Sequence, residues 1–199
     1  MKKYLSLFGL GLASCTPSVE KDFQRIPIEF NTVENLVRHI TPTKKYIYWE
    51  CIFKSDFEQT SKVIASKGDS SSIKDLRYDV PKEGFIYGNG AGYYYIAYYD
   101  KKKLAYAYDP KSLQAFIGKI DDLPEALLIA ETQNFSVDFK KKIGSSYKKT
   151  PTGFELYLAQ HHLCPTQSEA FKISINTLGN LEAKTSNYFY NVHKNVCAD

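Results

Sequence analysis

The side chains with the most reactive chemistry in this 199-residue chain are its histidines (39, 161, 162, 193) and cysteines (15, 51, 164, 197). Four of them group toward the C-terminus as His162-x-Cys164 and His193-x-x-x-Cys197. Two Cys and two His can hold zinc tetrahedrally, but these spacings do not match the usual structural pattern. In an oxidising compartment two such cysteines pair with each other instead, so no metal and no cofactor is expected. His161 and His162 are neighbours in an alternating segment and point to opposite faces. Cys51 lies on an apolar stripe with Trp49 and Phe53, which reads as an inert core thiol, because a reactive cysteine needs exposure and a positive setting. Gly88-Asn89-Gly90-Ala91-Gly92 lacks the G-x-G-x-x-G spacing and the following helix of a phosphate loop and reads as a hairpin turn. No Gly-x-Ser-x-Gly elbow marks a serine nucleophile, and the carboxylate pair Asp121-Asp122 is explained by helix capping.

The elements that position these groups can be read from period and punctuation. Asn31 with Glu34 forms a capping pattern before Val33, Leu36, Val37 and Ile40, which predicts a helix ended by Pro42. Lys45 to Lys54 alternates as a strand. Ser55 with Glu58 repeats the capping pattern and predicts a second short helix to about Ser66. Phe85 to Tyr87, Tyr93 to Tyr99 and Leu104 to Tyr108 read as a β-meander. Leu113 to Ile120 reads as a further strand. Asp122, Pro124 and Glu125 open a helix with an apolar face of Leu123, Leu127 and Ala130. Residues 134–146 read as irregular. Phe154 to Leu163, Glu169 to Thr177 and Leu181 to about Val192 close the chain as three strands. The expected class is α+β: antiparallel β-sheet meanders with two or three helices packed on one face.

Two site expectations follow from this order. Cys164 lies just past the first closing strand and Cys197 just past the third, at the same end of the sheet, so a Cys164–Cys197 disulfide is expected. It would close a loop of about 33 residues, worth about 3–4 kcal/mol in the chain-entropy view. The second concerns tyrosine: eight of the 16 fall between Tyr87 and Tyr108. Tyr93, Tyr95 and Tyr99 share one strand face, and Tyr94 and Tyr98 take the other. So many hydroxyls are hard to satisfy inside a core. Tyr93, Tyr95, Tyr99, Tyr106 and Tyr108 are therefore expected to form an exposed aromatic binding surface.

The N-terminus carries the clearest signal. Lys2 and Lys3 precede an apolar run, Tyr4 to Leu12, that is too short to span a bilayer. Leu12-Ala13-Ser14-Cys15 follows and resembles the lipobox of bacterial lipoproteins. The resemblance implies that the Cys15 thiol receives a diacylglyceryl group, that cleavage falls just before it, and that palmitate-type chains anchor the protein. Residues 1–14 then form a signal peptide, 15–30 a tether and 31–199 one globular domain. Thr16, where the family's inner-membrane retention signal is usually Asp, favours the outer membrane if the source has two. A second similarity, carried by Phe116 to Asp121, Glu125 to Leu128, Gly153 to Leu156 and Cys164-Pro165, spans roughly residues 113–182. It links the chain to exported bacterial proteins of shared architecture and implies no activity.

The 26 basic and 22 acidic residues are nearly balanced once Lys2 and Lys3 leave with the signal. Neither charge nor location suits nucleic acid. The function expected is a membrane-anchored cell-envelope lipoprotein with a non-enzymatic binding or structural role, with an envelope protein or glycan as partner. The alternative is a hydrolase-like envelope enzyme whose active site follows no motif. Intact mass of membrane-purified protein is expected to fit residues 15–199 plus acyl chains, less two hydrogens for the disulfide. Cys15→Ala should stay uncleaved or soluble, and an unlipidated mass would refute the anchor.

Overall fold

The computed structural model describes residues 18–58, 60–71, 80–88, 91–100 and 103–193. Among these, ten strands form two antiparallel sheets and three α-helices join them, so the chain is largely sheet. The first sheet has the order β1 (Gln24–Arg25), β7 (Ser146–Thr150), β8 (Gly153–Leu163), β9 (Thr166–Asn176), β10 (Leu181–His193). The second has the order β3 (Ser61–Gly68), β2 (Tyr48–Ser55), β5 (Gly92–Asp100). Beyond β5, β4 (Ile86–Tyr87) and β6 (Lys103–Ala107) share its remaining edge, β4 at Tyr93 and Tyr94 and β6 from Ile96 to Asp100.

The helices α1 (Val33–His39), α2 (Pro110–Ile117) and α3 (Leu123–Glu131) share one apolar core with the inward faces of both sheets. The first sheet contributes Phe154, Leu156, Leu158, Ile173 and Ile175, and the second Trp49, Cys51, Ile64, Tyr94 and Ile96. Every α3 residue from Leu123 to Ala130 is buried, as expected of a helix that is apolar on all sides. Phe116 of α2 stacks on Tyr46, with centroids 4.9 Å apart and planes at 15°, and meets Trp49 and Tyr98 edge-on or tilted. The expected antiparallel sheets and three helices are present, but the chain is mostly β, and the helices lie in a core common to two sheets rather than on one face.

Local chemistry explains where sequence and structure part. Thr32, one residue after the expected Asn31, caps α1 by accepting from the Asn35 amide. The Ser55–Glu58 pattern does not start a helix: Glu58 N–H donates to Ser55 Oγ at 3.2 Å in a hairpin turn, and Ser61–Gly68 pairs with β2. A side-chain acceptor three residues before an amide serves turns as well as helices. The segment read as a strand from Leu113 is α2. Asp109 caps it, accepting from Ser112 N at 2.7 Å, and Pro110 stands inside the first turn. The expected tether is packed from Val19 onward, with Phe23 and Ile26 buried and β1 paired to β7.

The β8–β9 turn contains a cis Cys164–Pro165 bond, the bond of a type VI turn. Gly153 begins β8 at φ +143°, where an added Cβ would lie 2.0 Å from the Ile175 carbonyl oxygen. Leu128 of α3 is fully buried, whereas Leu163 is exposed at the sheet end. Leu128→Ala is expected to cost about 3–5 kcal/mol in denaturant unfolding, the range for cavity creation in a core. Leu163→Ala is expected to change stability by less than about 0.5 kcal/mol.

Candidate functional site

A cleft opens at the end of α3, lined by β4 of the second sheet and by β8 of the first. Glu131 is the last residue of α3, and Thr132 caps it, its hydroxyl donating to the Ile129 carbonyl at 2.7 Å. The chain turns at Asn134, whose φ of 63° is left-handed, a conformation asparagine adopts at low cost. It then meets β8 at an isolated bridge, Ser136 with Ala159, through amide–carbonyl bonds of 2.8 and 2.9 Å. Two residues on stands His161. Gly84, Phe85, Ile86, Tyr87 and Pro110 complete the lining. Together they line a cleft of about 560 Å³, within the range of small-molecule sites.

The polar groups of this cleft are not consumed by the fold. Among the described residues no hydrogen-bond partner is found for the Glu131 carboxyl, the Asn134 side-chain amide, the Ser136 hydroxyl or the Tyr87 hydroxyl, although the Asn134 backbone N–H donates to the Glu131 carbonyl at 3.1 Å. His161 uses Nδ1 with Ser168 Oγ at 3.0 Å, which leaves Nε2 for the cleft. Tyr87 is 60% exposed at the rim. Loss of water pushes the Glu131 carboxyl up to about 7. A carboxyl near that value holds or releases a proton at neutral pH.

His161 also borders a second cleft of about 400 Å³ with His162, Leu163, Ser168, Asp138 and Asn191. Asn191, at a β10 bulge with φ 53°, donates to Asp138 Oδ2 at 3.0 Å, and Lys140 N–H donates to Asp138 Oδ1 at 2.9 Å. This constellation is no serine triad. Ser168 is 3% exposed, and Asp138 bonds Asn191 rather than His161. His162 takes the opposite face, as expected, against Glu169 at 3.2 Å. Among the described residues, the carboxylates close enough to share a cation are Asp121, Asp122 and Glu125, but both Glu125 oxygens already accept backbone amides, Oε1 from Thr41 and Oε2 from Asp121 and Asp122.

The exposed tyrosine surface requires correction. Tyr93 and Tyr95 are buried at 4% and 3%, packed with Ile52 and Ala97. Tyr93 donates its hydroxyl to the Pro81 carbonyl at 2.5 Å, so the segment before β4 reaches over this face. Tyr99 and Tyr106 are half-buried, and only Tyr108 counts as exposed. On the inner face Tyr94 donates to Glu34 of α1. The face assignments hold, but both faces are covered. Cys51 is free and fully buried, with its thiol pushed far above the usual range, chiefly by burial. The Cys15 lipobox and Cys197 lie outside the described residues, as does the side chain of His193. Cys164 stands in the β8–β9 turn.

No protein-family model, no curated protein and no solved structure matches this chain. Glu131, Asn134, Ser136, His161 and Tyr87 were not singled out as a site from sequence. Three helix and strand junctions bring them together, and no motif announces it.

Glu131 yields a signed pH test. Its folded value lies above the ordinary 4.5, so the folded state keeps a proton that the unfolded chain gives up between about 4.5 and 7, and stability falls with rising pH across that window. Glu131→Gln should be neutral near pH 4 and stabilise the protein by about 1–3 kcal/mol at pH 8. Denaturant midpoints at the two pH values check this.

Proposed function

We propose that this chain is a lipid-anchored cell-envelope protein whose domain binds a small, neutral, hydroxyl-rich ligand of the saccharide class in the cleft at the end of α3. The observation that carries this reading is the set of uncommitted hydrogen-bonding groups, Glu131, Asn134, Ser136 and His161 Nε2, facing one space beside the exposed Tyr87 ring. A sugar presents hydroxyls around its edge and an apolar face, which suits polar groups on one wall and an aromatic ring at the rim. A protonated Glu131 donates to a hydroxyl and an ionised one accepts from it, so either state can serve. The anchor reading draws on the lipobox resemblance, and no helix of the described residues is long and apolar enough to cross a membrane.

One observation favours a second reading. A carboxyl held near neutrality and a histidine in the same cleft are the pair an acid–base hydrolase uses. The same assay separates the two. Amino-sugar disaccharides titrated into the protein should release binding heat without forming monosaccharide, whereas a hydrolase forms it. His161→Ala and Ser136→Ala should weaken binding by roughly 10-fold or more, since each strands a ligand hydroxyl. Tyr108→Ala, away from the cleft, should leave it unchanged. Absence of heat with every disaccharide would overturn the ligand assignment.

A further inference from the structure

The N-terminal segment and the lysine run at 140–142 meet on one face. Val19 and Phe23 pack on the outer side of the first sheet with Tyr157, Ala159, Ala170 and Tyr190. Phe23 is 4% exposed, its ring 4.8 Å from that of Tyr157, and Lys172 Nζ lies over both rings. Ion pairs of Lys148 with Asp22 at 2.5 Å and Lys172 with Glu20 at 2.6 Å flank this contact. Exposed pairs hold weakly, so the buried ring and the β1–β7 pairing fix the path. Ile143 belongs to the same apolar cluster, and it follows directly on Lys140, Lys141 and Lys142, all exposed.

We propose that this outer face of the first sheet lies against the bilayer, with Lys140, Lys141 and Lys142 seated on anionic lipid headgroups. The inference rests on the anchored reading of Cys15. From Cys15 to Val19 the chain advances four residues and reaches at most about 14 Å even when fully extended. A lipidated Cys15 therefore keeps this face near the membrane whatever residues 16–18 do. Charge then selects the lipid. Of the carboxylates on the face, Asp22 is engaged by Lys148, and Glu20 and Glu155 by Lys172. Exposed Glu182 has no ion-pair partner among the described residues, but it stands at the start of β10, at the end of the sheet away from the lysine run. Asp138 is buried and accepts from Lys140 N–H and Asn191. The three lysines have no ion-pair partner among the described residues, and exposed Lys21 adds to them. A short basic cluster beside an acyl anchor is the arrangement that an anionic surface attracts.

The test uses the full protein purified from membranes and mixed with vesicles of phosphatidylcholine alone or with phosphatidylglycerol added. Flotation reports association, and acetylation of each lysine amine, read by peptide mass, reports contact. Lys140 to Lys142 should be protected about fivefold or more in the anionic vesicles relative to the neutral ones. The protection should fade at about 0.5 M salt, where screening is within a few ångströms. Lys62 and Lys67 on β3 should label equally in both. Equal labelling of Lys140 to Lys142 in the two vesicle types, with the protein floating in both, would overturn the lysine surface and leave the anchor standing. Flotation with anionic vesicles alone would support the surface and remove the anchor. Flotation with neither would overturn both.

Discussion

The buried carboxylate of Glu125 is the contact on which the fold turns. A helix enclosed on every side cannot leave its first amides to water, and α3 is enclosed from Leu123 to Ala130. Glu125, with no exposed surface, accepts the amides of Asp121 at 3.2 Å, Asp122 at 3.3 Å and, from the segment after α1, Thr41 at 3.1 Å. One side chain thus ends the α2–α3 connection, opens α3 and ties in α1. Burial raises its pKa, and the three amides pull the other way. A buried charge is tolerable only with such bonds. With α3 fixed as a spine, both sheets have an apolar surface on which to close, and the helices can be shared between them.

The far end of the same helix is treated in the opposite way. Where Glu125 has three donors, Glu131 has none among the described residues, and it sits at a helix C-terminus, where a negative charge is unfavourable. Nothing in the packing requires an acid there. A glutamine would avoid that cost, and the position faces the cleft rather than the packed core. Asn134 in the left-handed region and the single Ser136–Ala159 bridge continue the pattern: the chain leaves α3, turns sharply and touches β8 just enough to hold the cleft open beside His161.

What could be read in the sequence follows from how local each determinant is. β8, β9 and β10 were legible because alternation and short turns specify them without reference to distant residues. The start of α3 was legible because Pro124 and Glu125 act within one turn. The Ser55–Glu58 and Leu113–Ile120 segments were not, because their local patterns are compatible with either state. Pairing of Ser61–Gly68 with β2 decided the first, and the Asp109–Ser112 cap with packing of Phe116 under Tyr46 decided the second. The candidate site was illegible for a stronger reason. Its residues come from the end of a helix, a turn, an edge strand of the second sheet and the end of an interior strand of the first, separated by up to 74 positions between Tyr87 and His161. Only the topology joins them.

The tyrosines show how composition can mislead about function while reporting truly on structure. A tyrosine ring is large enough to fill a layer, and its hydroxyl reaches the margin of that layer, where a carbonyl or carboxylate can receive it. The second sheet uses this on both faces: Tyr94 reaches inward to Glu34 of α1, and Tyr93 reaches outward to the Pro81 carbonyl. Residues that would line an open aromatic surface on a sheet with one bare face are instead the mortar of a sheet covered on two. Among the tyrosines of this block the most exposed is Tyr87, which lies on the two-residue edge strand β4 and at the rim of the cleft. The same block of sequence that fills the sheet thus supplies its one strongly exposed tyrosine at the mouth of the site.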